Sequence, residues 1–431
     1  MQEQIVIVGG GAGGLELATM LGRKLGRSEQ AKVTLIDRNS THLWKPLLHE
    51  VASGALDSRM AELDYRGQSA RCGFEFLLGT LESVDKDNKT IQLAAICDDR
   101  GKEVVAARSL SYDRLVLAIG GVTADFGTPG VTDHSYFLDS LRQADRFHEH
   151  LLNEFLRVNK SIGEGNATKL SLAIVGGGAT GVELAAELIH SVSLLSIYGL
   201  SHLDRKHFEV CLVEAKQRLL PELPERLSKL VEKKLSSLGV EVMLNNPVIE
   251  VKENTLVLGE GEPIQADLIV WAAGVRAPDI VKDWGLETRK NNQIKVNQYL
   301  QTLSDEAIYA LGDCAACPID DERWVPPRAQ SAHQMAKRLY RNIVREYQLQ
   351  PPKRFVYKDR GSLVSLSRYS AVGNFMQSKS LSVPLEGTLA RWAYASLYRL
   401  HQRVLHGWWK MFLLLLVDKL KRAVKPRLKL H

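Results

Sequence analysis

A strand that runs straight into G-x-G-x-x-G and then into a helical pattern occurs twice in this chain, 167 residues apart. Residues 5–14 read IVIVGGGAGG and residues 173–181 read AIVGGGATG. The fingerprint glycines are Gly9, Gly11 and Gly14 in the first copy and Gly176, Gly178 and Gly181 in the second. In such a set the first glycine permits a tight turn and the second lets backbone approach a pyrophosphate. The third lets helix and strand pack closely. The pyrophosphate then rests on the unpaired N–H groups at the positive end of the helix. One copy alone is weak evidence. Two copies, each with a strand before and a helix after, predict an α/β chain with two Rossmann-like units whose dinucleotides face each other.

The acidic partners sharpen the prediction. A carboxylate that closes the second strand of such a unit accepts hydrogen bonds from a ribose. Asp37 closes KVTLID and Glu214 closes FEVCLVE. Both lie beyond the usual ~20-residue spacing, because the segments between are long. Glu214 also selects between cofactors: a carboxylate repels a ribose 2′-phosphate, so the second unit should prefer NAD(H) to NADP(H). The later strands RLVLAIGG and DLIVWAAGV match one another and place Gly120 and Gly274 at corresponding turns.

This repeat divides the chain. Residues 1–168 form the first part of one dinucleotide unit and 169–275 form the second unit. Residues 276–387 return to complete the first, and 388–431 form a tail. A helix is expected over 138–158, followed by a hinge at SIGEGNATK. At 431 residues, with 45% apolar and 25% charged residues, the composition is that of a globular protein. The chain enters a strand almost at once, which leaves no room for a signal peptide. Five scattered cysteines fit a reducing compartment.

The net charge of +6 is unevenly spread. From Thr388 to the end there are ten Lys or Arg against one Asp, so the remainder is mildly acidic. The tail divides at Gly407, and after it WWKMFLLLLVDKLKR mixes tryptophan, phenylalanine and leucine with cations. Its run of seven apolar residues is far short of the ~20 needed to span a bilayer. An amphipathic helical membrane-binding region on an anionic lipid surface is expected, with a dimer interface as the alternative. No zinc-finger spacing or aromatic–basic interleaving points to nucleic acid.

Taken together, VIVGGGAGG, HLWKPLLHEVASG, LVLAIGG, AIVGGGATGVELAAEL, LIVWAAGV, IYALGDCA and PPRAQSAHQMA cover almost the whole chain. In combination they resemble the bacterial type II NADH:quinone dehydrogenases, single-subunit flavoproteins of the two-dinucleotide-binding-domain superfamily. The resemblance implies a glutathione-reductase-like pair of domains, non-covalent FAD in the first unit and NADH in the second. It implies hydride transfer from NADH to flavin N5 at about 3–3.5 Å, then two-electron reduction of a membrane quinone to quinol without proton translocation. It further implies a respiratory enzyme, peripheral on the cytoplasmic face of the bacterial inner membrane, with a homodimer possible.

The same resemblance assigns site residues. Asp313, in the second flavin motif, accepts from the ribityl chain. Lys45 falls in the segment that lines the flavin ring, where it meets either the ring or solvent. Gln330 and Gln334 match the quinone-site motif, and their four-residue spacing puts both amides on one helix face. Glu183, in the nucleotide-site helix, matches a carboxylate near the nicotinamide with a positioning or proton-handling role. No cysteine pair of the disulfide reductases occurs before Arg71, so the electrons must leave for another acceptor. Cys314 and Cys317 are the one close pair; packing is the favoured reading, and no metal site is expected. A sulfide:quinone oxidoreductase would need cysteines flanking the flavin. A soluble ferredoxin reductase has no use for the basic tail, and a non-enzymatic NADH sensor has no use for a complete flavin site.

Overall fold

The computed structural model describes residues 2–367, 370–378, 381–386, 388–424 and 428–429. Two parallel sheets organise it. In the first, the strand order is 308–310, 114–117, 3–8, 31–37, 75–78. The fingerprint strand Glu3–Val8 lies at the centre, paired with Arg114–Leu117 on one side and Ala31–Asp37 on the other. The edge strand Ile308–Ala310 arrives from far along the chain to close this sheet. In the second sheet the order is 240–243, 208–213, 170–175, 268–271, again parallel throughout. Buried on both faces, these strands read as continuous apolar runs such as IVIV and LAIV.

The repeat extends beyond the fingerprints. Each unit inserts a three-stranded antiparallel sheet, at 81–111 and at 248–265, just before the strand 114–117 or 268–271 that pairs with its fingerprint strand. The units then meet edge to edge, where Val122–Thr123 pairs antiparallel with Val275–Arg276. The strand ends that carry Gly120 and Gly274 are thereby joined. The connecting helix runs Leu141–Gly163 and continues through the first residues of the expected hinge. A capping box fixes its start: Gln143 N–H donates to Ser140 Oγ, and Ser140 N–H donates to Gln143 Oε1.

One part of the expected domain layout looks different in three dimensions. Strands Ser362–Leu366, Ser370–Ser378 and Leu381–Glu386 form their own antiparallel sheet instead of joining the first parallel one. The region 388–431 splits at Gly407, where the sequence divides it, and the φ of +81° there breaks the path between two helices. Helix Thr388–His406 buries His401, Gln402 and Leu405 against the first unit. Helix Trp408–Val424 instead turns Trp409, Phe412, Leu413, Leu416 and Leu420 to the outside.

Candidate functional site

Both fingerprints fold as their residue types require. Gly9 and Gly176 adopt φ of +102° and +113°, a region that favours glycine. A Cβ on Gly14 would fall on the carbonyl oxygen of Gly9, and one on Gly181 on that of Gly176, so helix and strand touch there. Gly11 and Gly178 differ: a Cβ on either meets nothing within 4 Å. Those open sides flank the helix N-termini at Ala12 and Ala179, whose unpaired N–H groups suit an anion such as a pyrophosphate. Gly120 is likewise open, with φ of +75°. Gly274 faces the Phe126 ring instead.

The two carboxylates are held alike. Gly10 N–H donates to Asp37 Oδ2 at 2.6 Å, and Gly177 N–H donates to Glu214 Oε2 at 2.6 Å. Each remaining oxygen accepts a backbone N–H two residues on, from Asn39 at 2.8 Å and Lys216 at 2.9 Å. The glycine turn and the acid therefore form one rigid cradle in each unit.

Where the units meet, Lys45 Nζ donates to Gly121 O at 2.8 Å and lies 3.4 Å from Asp139 Oδ1. It also lies close enough to Asp313 to pull down a carboxyl that desolvation raises above its ordinary range. Gln293 Nε2 ties down the Asp313 carbonyl at 2.9 Å. Lys45, Gly120 and Asp313 thus converge on one junction. Trp271 Nε1 donates across it to Ala124 O at 2.9 Å.

Glu183 lies in the second turn of its helix, counted from the Gly178 N-cap, and its side chain is buried. Its Oε1 accepts from Ser365 N–H at 3.0 Å, and its Oε2 lies 3.5 Å from His49 Nδ1. Burial pushes His49 down to about 4, so that imidazole is neutral near pH 7. The HLWKPLLHEVASG segment therefore packs on the nucleotide helix through Leu48, Val51 and Ala52 as well as facing the junction.

Sequence reasoning missed a second buried carboxylate. Glu16 is fully buried, with His333 Nδ1 at 2.6 Å from Oε2 and His401 Nδ1 at 2.7 Å from Oε1. His401 Nε2 meets His42 Nε2 at 3.1 Å, and His42 Nδ1 meets Gly10 O at 2.9 Å. The chain can be counted in protons. A carbonyl only accepts, so His42 Nδ1 carries hydrogen. Burial, reinforced by His401, pushes His42 down to about 3, so it is neutral and its Nε2 accepts from His401 Nε2–H. One further proton must then lie between His401 Nδ1 and Glu16. The Tyr65 hydroxyl donates to the same Gly10 carbonyl at 2.7 Å.

Gln330 and Gln334 do share a helix face, but their amides are already engaged. Gln330 donates to Gly361 O at 2.9 Å and accepts from Arg360 N–H; Gln334 donates to Lys358 O at 2.9 Å and accepts from Lys358 N–H. Both clamp the segment 358–361, and each amide nitrogen spends one of its two N–H donors on that clamp. Arg328, at the N-cap of the same helix, pairs with Glu222 from the second unit. Cys314 and Cys317 are buried and each pushed up to about 12, so both stay protonated thiols. That is the opposite of a reactive or metal-binding thiolate, and among the described residues no cluster could hold a metal ion.

Two fingerprint cradles facing one junction define a flavin- and nicotinamide-dependent oxidoreductase class. Residues 3–336 match the pyridine nucleotide-disulphide oxidoreductase family. The type II NADH:quinone oxidoreductase of Haemophilus influenzae is 49% identical over the full length of both chains. That of Staphylococcus aureus is 30% identical, covering 86% of this chain and 89% of its own. Among solved structures, NDH2 from Plasmodium falciparum in complex with NADH superposes with a TM-score of 0.82 at 20% identity, with full coverage of both chains. The sulfide:quinone oxidoreductase of Aquifex aeolicus gives 0.72 at 19% identity, covering 94% of this chain and 92% of its own. The chain belongs to the type II NADH:quinone oxidoreductases. Its first unit fits FAD: Gly11 leaves open space at the N-cap of the fingerprint helix, Gly120 is open as well, and the glycine turn holds the Asp37 carboxylate.

Proposed function

We propose that the chain oxidises NADH at the second unit and delivers the electrons, through FAD held by the first, to a membrane quinone. The observation that carries this reading is the pair of opposed cradles joined at Val122–Thr123 and Val275–Arg276, in a chain 49% identical to a type II enzyme. Bound FAD supplies hydride acceptance at N5 and onward two-electron delivery to the quinone. The protein's own residues do the positioning. Glu214 orients the NADH ribose, Gly178 admits the pyrophosphate, and Asp313 and Lys45 hold the flavin side of the junction. Glu183, with neutral His49, forms a buried proton-holding pair beside the nucleotide helix. Gln330 and Gln334 act by shaping the quinone entrance through residues 358–361. The exposed apolar face of helix Trp408–Val424 sets the enzyme on an anionic membrane surface. We assign the cytoplasmic face, where NADH is supplied.

Anaerobic stopped-flow absorbance tests the activity. NADH should bleach the bound flavin, and a short-chain ubiquinone analogue should restore its colour within the same turnover time. Bleaching that quinone leaves untouched would reject the acceptor. A second expectation concerns cofactor choice. Glu214→Arg should raise the NADPH-to-NADH ratio of kcat/KM at least tenfold, by trading repulsion of the 2′-phosphate for attraction. The ratio is informative even though the variant leaves Gly177 N–H unpaired, because that loss affects both nucleotides equally. An unchanged ratio would remove Glu214 from the ribose site.

A further inference from the structure

Where the first unit meets the two C-terminal helices, a cavity of about 170 Å³ is lined by Arg23, Arg27, Gln68, Arg71, His406 and Lys410. Its cations are anchored but not neutralised. Arg23 caps the end of helix Thr388–His406 by donating to Val404 O at 2.9 Å and Leu405 O at 2.5 Å. Arg27 donates to the Arg71 carbonyl, and Arg71 donates to Gln68 Oε1 at 2.8 Å. No carboxylate pairs with Arg23, Arg27, Arg71 or Lys410 among the described residues. Three anchored guanidiniums and the Lys410 ammonium around one cavity repel each other, and the field reaches their neighbour. His406 is pushed down to about 4, by burial first and then by Arg71, His401, Lys410 and Arg23.

Backbone oxygens that hold a guanidinium leave its charge uncompensated, and an anion with several acceptor oxygens would compensate it. The position of the cavity narrows the choice. Lys410 comes from the same helical turn as Trp408 and Trp409, which are 67% and 84% exposed. The Arg403 guanidinium lies 4.9 Å from the Trp408 ring centroid. Exposed tryptophans beside cations mark the headgroup level of a bilayer. We propose that this cavity binds the phosphodiester of one anionic phospholipid. The proposal rests on the membrane-surface reading above. It adds a specific headgroup site, made mainly by the flavin-binding unit, to an otherwise diffuse attraction of the basic tail.

Native mass spectrometry of the full-length, FAD-loaded, delipidated protein tests it, with dioleoyl phosphatidylglycerol, dioleoyl phosphatidylcholine or inorganic phosphate added. One phosphatidylglycerol should be retained per chain, and phosphatidylcholine and phosphate should not. The Arg71→Gln/Lys410→Gln variant should bind phosphatidylglycerol roughly thirtyfold more weakly, the loss expected for two juxtamembrane charges. The charge-matched Lys24→Gln/Arg403→Gln variant, at two cations outside the cavity lining, should bind it as the parent does. Flavin content and NADH oxidation by a soluble dye report that both variants fold. Retention of phosphate in place of lipid, equal retention of phosphatidylcholine, or equal losses in the two variants would each overturn the headgroup site. Co-sedimentation with neutral vesicles separates the two readings, since it depends on the apolar face and not on this cavity.

Discussion

Replacing Glu16 with leucine should destabilise the flavin-binding unit by about 3–5 kcal/mol, the cost of breaking a buried ion pair from one side. The expected readout is a lower temperature for release of flavin fluorescence. Leucine fills similar volume, so the loss reports polar groups and not a cavity. With the carboxylate gone, His401 Nδ1 loses its partner in a buried position and His333 Nδ1 in a part-buried one, and the proton held between Glu16 and His401 loses its place. Glu16→Gln keeps one acceptor and should cost less. The pH dependence has a definite sign. Hydrogen bonds and charge from the two histidines hold the Glu16 pKa below its ordinary value despite burial. Its stabilisation is therefore complete above the unfolded carboxyl pKa of about 4.3, and is lost as pH falls through the folded value. The gap between parent and variant should accordingly be wide at pH 7 and should narrow in acid. A leucine variant within ~1 kcal/mol of the parent, or a gap that widens in acid, would show that the Glu16 cluster carries no such charge.

The repeat made half of this cluster legible and concealed the other half. Glu16 stands two residues past Gly14, as Glu183 stands two past Gly181, and the surrounding sequences GGLELAT and TGVELAA are nearly the same. A comparison of the two copies position by position singles out both acids. The partners are not local, however. His333 and His401 lie 317 and 385 residues from Glu16 and reach it only when separate helices pack on the first fingerprint helix. The fingerprint glycines, Asp37 and Glu214 were legible because each motif is a local solution to a local problem: a turn, a close approach and a fixed carboxylate. Gln330 and Gln334 show the limit. Helical spacing correctly put them on one face, but no local pattern says that this face would meet the backbone of 358–361. The tail shows the same limit. The division at Gly407 was legible, but no local pattern says that His401 and Leu405 of the first helix would be buried against the first unit.

That separation leads to the other large expected effect, because the second helix presents apolar residues outward. Phe412→Ser/Leu416→Ser should weaken binding to anionic vesicles at least a hundredfold and leave dye-linked NADH oxidation unchanged. Phe412 and Leu416 are 53% and 45% exposed and lie one turn apart, between Trp409 and Leu420. Burying each side chain is worth about 1.5–3 kcal/mol, and 1.4 kcal/mol is a factor of ten. Helix Trp408–Val424 has 17 residues, about 25 Å of rise, and no helix among the described residues is long and apolar enough to cross a membrane. Its apolar stripe beside Lys410 is therefore matched to lying in the interface. Point substitutions are the proper probe, because deletion from Thr388 would also remove His401 from the Glu16 cluster and Leu405 from the core. Even deletion from Trp408 would remove Lys429, whose backbone N–H donates to Gly54 O at 2.8 Å in the flavin-facing segment. Co-sedimentation and gel filtration together discriminate between occupants of the face. Loss of vesicle binding at unchanged size supports the membrane, whereas a dimer that falls to monomers while still binding vesicles would make this stripe a contact between two copies of the chain.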